Sequence, residues 1–423
     1  MSGNRTQPAD GEAVTIVGIG YVGLPLAVAA AGTGYQTFGL DVSASRIAQV
    51  NAASSPVDTV TDEQLSAVRG RLTATADPGY LARSRYIVLC VPTMATVGAQ
   101  PDISALLDAV GVVAARLRRG QCVIIESTTY PGTTDGPVRD ILERSGLRAG
   151  SDFGLAYSPE RIDPGNGSYA LANTPKLVGG ISGNCRRQAG EFYSRFVATI
   201  HYTKGTREAE AAKILENSYR QVNIALVNEF AQLARLLGFD VWDTIAAAAS
   251  KPFGFAPFRP GPGVGGHCIP VAPHFLGARA RTMGAAFRMA EMAQEVNDGM
   301  PGWIADRVCA ELARRSISPR DGLVLLLGAT YKPDVADPRN APTIRLVREL
   351  RGRGVCVGFH DPYVSVLDID GAELKRVADL GETMAASDIT VLVQPHRCYL
   401  SEVLGAARVL FDTTGTVVGA VRL

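Results

Sequence analysis

No Cys-x-x-Cys pair occurs among the seven cysteines of this 423-residue chain, and its opening residues, MSGNRTQPADGEA, lack the basic-then-apolar order of a secretory leader. A disulfide framework is therefore not expected, and the reducing cytoplasm is the expected compartment. No His or Cys ligands recur at a zinc-site spacing, and His267 and Cys268 are adjacent, so no metal is expected. Blocks of five or more like charges are absent and the formal net charge is +1, which leaves no electrostatic footprint for nucleic acid. Short-period repeats are absent too. One stretch, residues 14–40, carries no charge and is long enough to suggest a membrane span. Yet Gly18, Gly20, Gly23 and Pro25 interrupt its first half and Asp41 closes it. A strand, a glycine turn and a helix are expected there, with no membrane partner.

What is present fits a globular enzyme of two or three domains, with 46% hydrophobic and 20% charged residues. Short apolar strands are expected at Val14–Val17, Thr37–Leu40, Tyr86–Val91, Gln121–Glu126 and Phe153–Tyr157, alternating with helical stretches, as in a parallel sheet covered on both faces. Gly205 and Gly238 then bracket one unbroken helix. Its apolar residues Ala209, Ala212, Leu215, Tyr219, Val222, Leu226, Phe230, Leu233 and Leu237 recur at helical steps. Such a helix spans roughly 50 Å, more than one small domain needs, and so offers a surface to a partner subunit. Segment 251–273 reads as a functional loop, because a flexible linker would rarely spend Phe253, Phe255 and Phe258. Strands resume at Leu323–Leu327, Val355–Phe359, Ile389–Val393 and Val409–Phe411. The expected fold is α/β: two Rossmann-like parallel-sheet domains, 1–204 and 316–423, joined by a helical central domain, 205–315, that carries the long connecting helix.

Gly18-Ile19-Gly20-Tyr21-Val22-Gly23 sits between an apolar strand and an apolar helix. In that setting the first glycine makes a tight turn, the second admits a pyrophosphate to the backbone, and the third lets helix and strand pack closely. The helix N-terminus adds unpaired N–H groups. Asp41 ends the next strand, where a carboxylate accepts from the ribose hydroxyls of NAD and repels the 2′-phosphate of NADP. Arg46 follows on the next helix and is the residue that could blur this choice. The expected cofactor is NAD.

Cys268 lies in PGPGVGGHCIP, residues 260–270, on a loop whose glycines Gly265 and Gly266 allow close approach of backbone and ligand. Cys90, Cys122, Cys309 and Cys356 read as small buried hydrophobes; Cys268 reads as a nucleophile. A dinucleotide fold with a reactive thiol suggests alcohol-to-acid oxidation. The thiol holds an aldehyde as a thiohemiacetal, hydride loss gives a thioester, and water releases the acid.

GIGYVGLPLA, VPT, ESTTYPGTT, SPERIDPG, AEAAKILENSYRQVNIALVNE, KPFGFAPFRPGPGVGGHCIP and YKPDVADPR follow one another from about residue 14 to residue 362. Together they resemble the UDP-glucose/GDP-mannose dehydrogenase family, and the form of the Cys268 loop is most similar to members acting on UDP-N-acetylhexosamines. The resemblance implies NAD-dependent oxidation of the C6 hydroxymethyl of a nucleotide sugar to a uronate by a homodimer. It implies Cys268 as covalent nucleophile, Lys213 and Asn217 as oxyanion partners, and Glu160 as general acid/base. Thr128 would order a water or substrate near the nicotinamide. Pro92, Thr93, Ser127 and Thr128 join the glycine motif on the cofactor side. Glu160, Arg161, Lys213, Asn217, Gly265, Lys332 and Arg339 fall on the substrate side; of these the resemblance implies that Lys332 and Arg339 hold the diphosphate and the sugar-acid side, with Arg259 a further phosphate candidate. On residue grounds alone, Lys213 would read as an exposed helix lysine and Glu160 as a turn residue.

One departure bears on the chemistry. The family pattern continues Cys-x-x-x-Asp, whereas the fourth residue after Cys268 is Ala272, whose methyl cannot accept a proton. His274, two residues on, carries an imidazole that can titrate near neutrality. Met94 after Val-Pro-Thr and Ala341 before Pro342 depart from the pattern as well. Two alternatives therefore stand beside full oxidation: arrest at the aldehyde or acyl-enzyme, and a non-catalytic nucleotide-sugar-binding protein.

Overall fold

The structure, a computed structural model, describes residues 12–95, 101–163, 168–266, 269–399 and 401–423. These fall into two compact units, one of residues 1–216 with 274–284 and the other of residues 217–273 with 285–423.

The first unit is built on eight strands: β1 (Ala13–Val17), β2 (Gln36–Leu40), β3 (Leu72–Thr75), β4 (Tyr86–Leu89), β5 (Cys122–Ile125), β6 (Gly154–Tyr157), β7 (Lys176–Gly180) and β8 (Ile200–Tyr202). Their order is β8-β7-β6-β5-β4-β1-β2-β3. Val17 pairs with Leu40 on one side and Leu89 on the other, so the order reverses at β1. In such sheets the crevice beyond the carboxyl ends at that reversal is the ligand site. Both faces are covered. Val14, Ile16, Tyr86 and Val88 pack with Phe192 and Tyr193 on one side; Val17, Ile87, Leu89 and Ile125 pack with Leu106 and Val110 on the other. Burial on both faces explains why these strands read as continuous apolar runs.

One pairing departs from the parallel sheet expected: β7 runs antiparallel to β6. A parallel return needs a crossover, usually a helix, and the described residues between these two strands hold none.

The second unit has a five-stranded parallel sheet of β9 (Leu323–Leu327), β10 (Cys356–His360), β11 (Ile389–Leu392), β12 (Leu410–Asp412) and β13 (Val421–Arg422), in the order β10-β9-β11-β12-β13. Val324, Leu326 and Phe359 pack against Ile304, Val308, Leu346 and Leu350, while Leu325, Leu327 and Leu392 cover the opposite face with Met384. This sheet also reverses order, between β9 and β11. Cys356 opens the edge strand β10 and is exposed, contrary to its reading as a buried hydrophobe; an edge strand leaves one side open. Cys122 is buried, and Cys90 and Cys309 are partly so.

A single helix of 32 residues, Thr206–Leu237, runs about 48 Å and contributes residues to both units. Its apolar stripe divides. Ala209 is buried, whereas Leu215 (67% exposed), Tyr219, Leu226 (58%), Phe230, Leu233 and Leu237 lie open. The face it buries carries Ile214, Val227 and Ala231 together with the polar Gln221 and Asn228. No helix among the described residues is long and apolar enough to cross a membrane.

Candidate active site

In the first unit the chain leaves β1 through Gly18, whose φ of +87° favours glycine and whose added Cβ would stand 3.0 Å from the Cys90 carbonyl oxygen. At Gly23 a Cβ would meet the Gly18 oxygen at 1.8 Å, which no side chain tolerates. Gly20 differs: a Cβ there meets nothing within 4 Å. That turn faces open space at the start of helix α1 (Gly23–Gly32), whose N-cap Val22 makes no side-chain capping bond. Room for close approach and uncapped N–H groups are what a dinucleotide pyrophosphate requires. Tyr21 and Val22 are partly buried in this turn. The residues present fit the group.

Asp41 follows β2 and is buried. Its Oδ2 accepts the Ile19 N–H at 3.0 Å and its Oδ1 the Ser43 N–H at 2.9 Å, so it braces the glycine turn and the entry to helix α2 (Ala44–Asn51). Arg46 sits on that helix, as expected, and its Nη1 reaches both oxygens at 3.1 and 3.0 Å. A ribose hydroxyl bound to Asp41 competes with Arg46. The Asp41→Ala protein is expected to narrow its NAD-over-NADP preference in kcat/KM by about tenfold, through loss of a charged acceptor and release of a guanidinium. An unchanged ratio in steady-state assays with both cofactors would place the ribose elsewhere.

Across the β4 and β5 ends, the Ser127 hydroxyl donates to the Val91 carbonyl at 2.7 Å and the Thr93 hydroxyl to the Thr128 carbonyl at 2.8 Å. These bonds bring Thr93, Ser127 and Thr128 together beside exposed Pro92. Glu160, three residues after Tyr157 closes β6, is partly buried and accepts the Ile162 N–H through Oε1. Lys213 donates from Nζ to the Glu160 carbonyl and is only 8% exposed, which corrects its reading as a surface lysine. Arg161 pairs with Glu216 at 2.7 Å and donates to the Pro175 carbonyl at 2.6 Å.

Asn217 lies one turn after Lys213 on the same helix face. It is 6% exposed, and its Nδ2 is buried with no hydrogen-bond partner among the described residues. Buried amide donors are nearly always satisfied, so this one has a bond left to give.

In the second unit the segment before the expected nucleophile is pinned at several points. The Gly261 N–H donates to Asn228 Oδ1 at 2.9 Å, and Asn228 Nδ2 donates to Asn297 Oδ1 at 2.8 Å. A Cβ at Gly265 would stand 2.7 Å from the Tyr331 Cβ and 2.9 Å from the Asn340 oxygen. The Gly266 N–H donates to the Arg339 carbonyl at 3.2 Å and Asn340 Nδ2 to the Gly266 carbonyl at 3.2 Å. The glycine loop thus lies directly on segment 331–340, which holds Lys332 and Arg339. Arg339 folds onto Asp337, at 2.6 Å from Nη2 to Oδ2. Arg259 is exposed. His267 and Cys268 lie outside the described residues. Ala272 is buried at the start of a helix, Ala272–Thr282, and His274 is partly buried on it.

Residues 12–197, 207–299 and 325–418 match, in that order, the NAD binding, central and UDP binding domains of the UDP-glucose/GDP-mannose dehydrogenase family. The chain belongs to this family. It is 35% identical over 354 residues to a UDP-N-acetyl-D-mannosamine dehydrogenase of Pyrococcus horikoshii, covering 83% of this chain and 84% of that one. It is 36% identical over 366 residues to a UDP-N-acetyl-D-glucosamine 6-dehydrogenase of Salmonella typhi, covering 86% and 84%. The solved structure of a UDP-D-ManNAc dehydrogenase from Pyrococcus horikoshii superposes with a TM-score of 0.87 at 32% identity, covering 97% of this chain and 98% of that one. As a member of the family the chain has its NAD binding domain, and NAD is the cofactor.

Sequence reasoning missed Glu210, three residues before Lys213 on the same helix. Its carboxylate gathers the loop after β5: Oε1 accepts from the Thr134 N–H at 2.9 Å and the Thr134 hydroxyl at 2.7 Å, and Oε2 from the Gly132 N–H at 2.7 Å. An acid at helical spacing from Lys213, the expected oxyanion partner, was the available signal. Burial pushes the Glu210 carboxyl up to about 7, against the lowering effect of the Thr134 and Gly132 donors. A raised carboxyl means the folded chain binds the extra proton. Its stabilising contribution is full below the unfolded value of 4.5 and is lost as pH rises through about 7. The melting-temperature gap between wild type and Glu210→Gln is therefore expected to shrink from pH 5 to pH 8, by an amount corresponding to about 3 kcal/mol. A gap that does not change with pH would show that Glu210 is ionised throughout.

Proposed function

We propose that this family member oxidises the C6 hydroxymethyl of a UDP-sugar to the uronic acid, with a UDP-N-acetylhexosamine as the substrate class and UDP-glucose the nearest alternative. The observation that carries this reading is the helix pair of buried Lys213 and the Asn217 amide, whose Nδ2 has no partner among the described residues: two donors one turn apart in a buried setting suited to an oxyanion. The relatives named above, which act on UDP-N-acetylmannosamine and UDP-N-acetylglucosamine, support the substrate class.

NAD, when bound, accepts the hydride that C6 loses at each oxidation. Glu160 takes the hydroxyl proton, and Lys213 with Asn217 donates to the oxygen as charge develops on it. The Cys268 thiolate adds to the aldehyde carbon, giving a thiohemiacetal; after the second oxidation the resulting thioester is cleaved by water, which returns the thiolate and releases the carboxylate. Thr128 orders that water or the substrate. Arg161, Arg259, Gly265, Lys332 and Arg339 form the substrate side, with the last two against the diphosphate. The work divides among three domains, 1–204, 205–315 and 316–423, a division supported by the three consecutive family matches. The chain works as a cytoplasmic homodimer, and the open stripe of Leu215, Tyr219, Leu226, Phe230 and Leu233 supports the contact. Light scattering at micromolar concentration is expected to give about twice the 44.6 kDa of one chain; a monomer mass would sink this part.

A second reading rests on Ala272. Its buried methyl offers no proton acceptor for thioester hydrolysis, which favours slow deacylation or arrest after the first oxidation. The experiment for both is a screen of the purified protein with NAD against UDP-glucose, UDP-N-acetylglucosamine, UDP-N-acetylmannosamine and GDP-mannose, followed by NADH absorbance. Binding of NAD and a UDP-sugar without any rise would leave only a non-catalytic binding protein.

A further inference from the structure

The loop between β9 and the helix Pro342–Gly352 carries Lys332 and Arg339, and a buried histidine from beyond β11 holds its first half. His396 is 2% exposed. Its Nδ1 accepts the Asp334 N–H at 2.9 Å, so that nitrogen carries no proton. The proton therefore sits on Nε2, which donates to Asp361 Oδ2 at 2.9 Å. Thr330 adds a hydroxyl 3.4 Å from Nε2 that donates a hydrogen bond to the Lys332 carbonyl at 2.9 Å. Asp361 binds the loop at its root as well, accepting the Ala329 N–H at 2.6 Å. Burial alone would raise its carboxyl; hydrogen bonds from His396 and from the Ala329 and Tyr363 N–H groups hold it below the ordinary carboxylate range.

The other anchors show why the loop needs this. Asp334 has φ +58°, a left-handed conformation that is strained for a residue with a side chain. It persists because its N–H is taken by His396 and its carboxylate by the Arg397 N–H at 3.1 Å and Nε at 2.8 Å. The rings of Tyr363 and Tyr399 stand 5.3 and 5.6 Å from the imidazole and fix its plane. Lys332 lies two residues before the strained Asp334, so the histidine sets the backbone path on which that lysine stands.

We propose that His396 is the positioning residue for nucleotide-diphosphate binding, acting through the Asp334 N–H to hold the Lys332 segment in its binding conformation. This rests on the reading of Lys332 and Arg339 as the diphosphate side of the site. Two single-contact variants separate a positioning role from simple packing. In His396→Asn the amide oxygen falls where Nδ1 stood and still accepts from Asp334. In His396→Gln the amide reaches the Nε2 position and serves Asp361, leaving the Asp334 N–H without its acceptor.

The measurement is calorimetric titration of the full-length chain with UDP, and of the same samples with NAD. UDP affinity is expected to fall about tenfold or more in His396→Gln, the range for an unsatisfied buried donor. His396→Asn is expected to stay within about threefold of wild type, and NAD affinity to hold in both. Equal UDP affinity in the two variants, or NAD affinity falling in parallel with UDP, overturns the assignment of His396 alone. A wild-type chain that binds NAD and takes no UDP overturns the diphosphate reading together with it.

Discussion

The Cys268→Ser protein is expected to form no uronate while binding NAD as wild type does. A serine alkoxide is a poor leaving group beside a thiolate, and serine at its free pKa is a weak nucleophile, so both capture of the aldehyde and release of the acid fail. The glycine loop leading to this position is shaped by Gly265 and Gly266 against Tyr331, and serine is small enough to leave that packing intact. Loss of acid with NAD affinity retained is thus a chemical effect and not a folding one. Mass-spectrometric detection of uronate at the wild-type rate would remove Cys268 from the mechanism.

Lys213→Ala is expected to slow hydride transfer by roughly a hundredfold or more, the range for losing one oxyanion donor in a water-excluded site. Two consequences combine. The ammonium no longer faces the developing charge, and the Glu160 carbonyl loses the donor that ties its loop to the helix. Asn217 remains as the second donor, so residual turnover above background is expected. Stopped-flow NADH formation at saturating sugar measures the step directly; a rate within about threefold of wild type would return Lys213 to a structural role.

The glycine turn, its strand and its acid were legible because each depends on local backbone chemistry. Gly18 and Gly23 permit nothing else, and Asp41 directly follows β2, the neighbour of the strand at which the sheet order reverses. Strands β3 and β8 escaped notice because LTAT and IHY are short and half polar, and β7 because KLVGG ends on two glycines; all three become strands through pairing with distant partners. The long helix was read to within one residue, yet which of its faces would be buried was not. Its interior face carries Gln221 and Asn228, whose bonds to Gln294 and Asn297 exist only after folding. Side-chain commitments were the least legible part. That Arg161 lies on Glu216 follows from tertiary placement, as do the contacts of Glu210 with Thr134 and of His396 with Asp334, whereas Arg46 on Asp41 and Arg339 on Asp337 are local pairs that rotamer choice decides. The resemblance to the family supplied the site residues, and with them the expectation of an acid at the position that Ala272 occupies.

That missing acid makes the stoichiometry of the reaction the decisive quantity. Counting NADH formed per nucleotide sugar consumed, with product mass determined in the same sample, tests whether Cys268, Lys213, Asn217 and Glu160 carry both oxidations without an aspartate at position 272. Two NADH per sugar and a uronate product are expected. One NADH per sugar, with aldehyde released or acyl adduct retained on Cys268, would contradict the account.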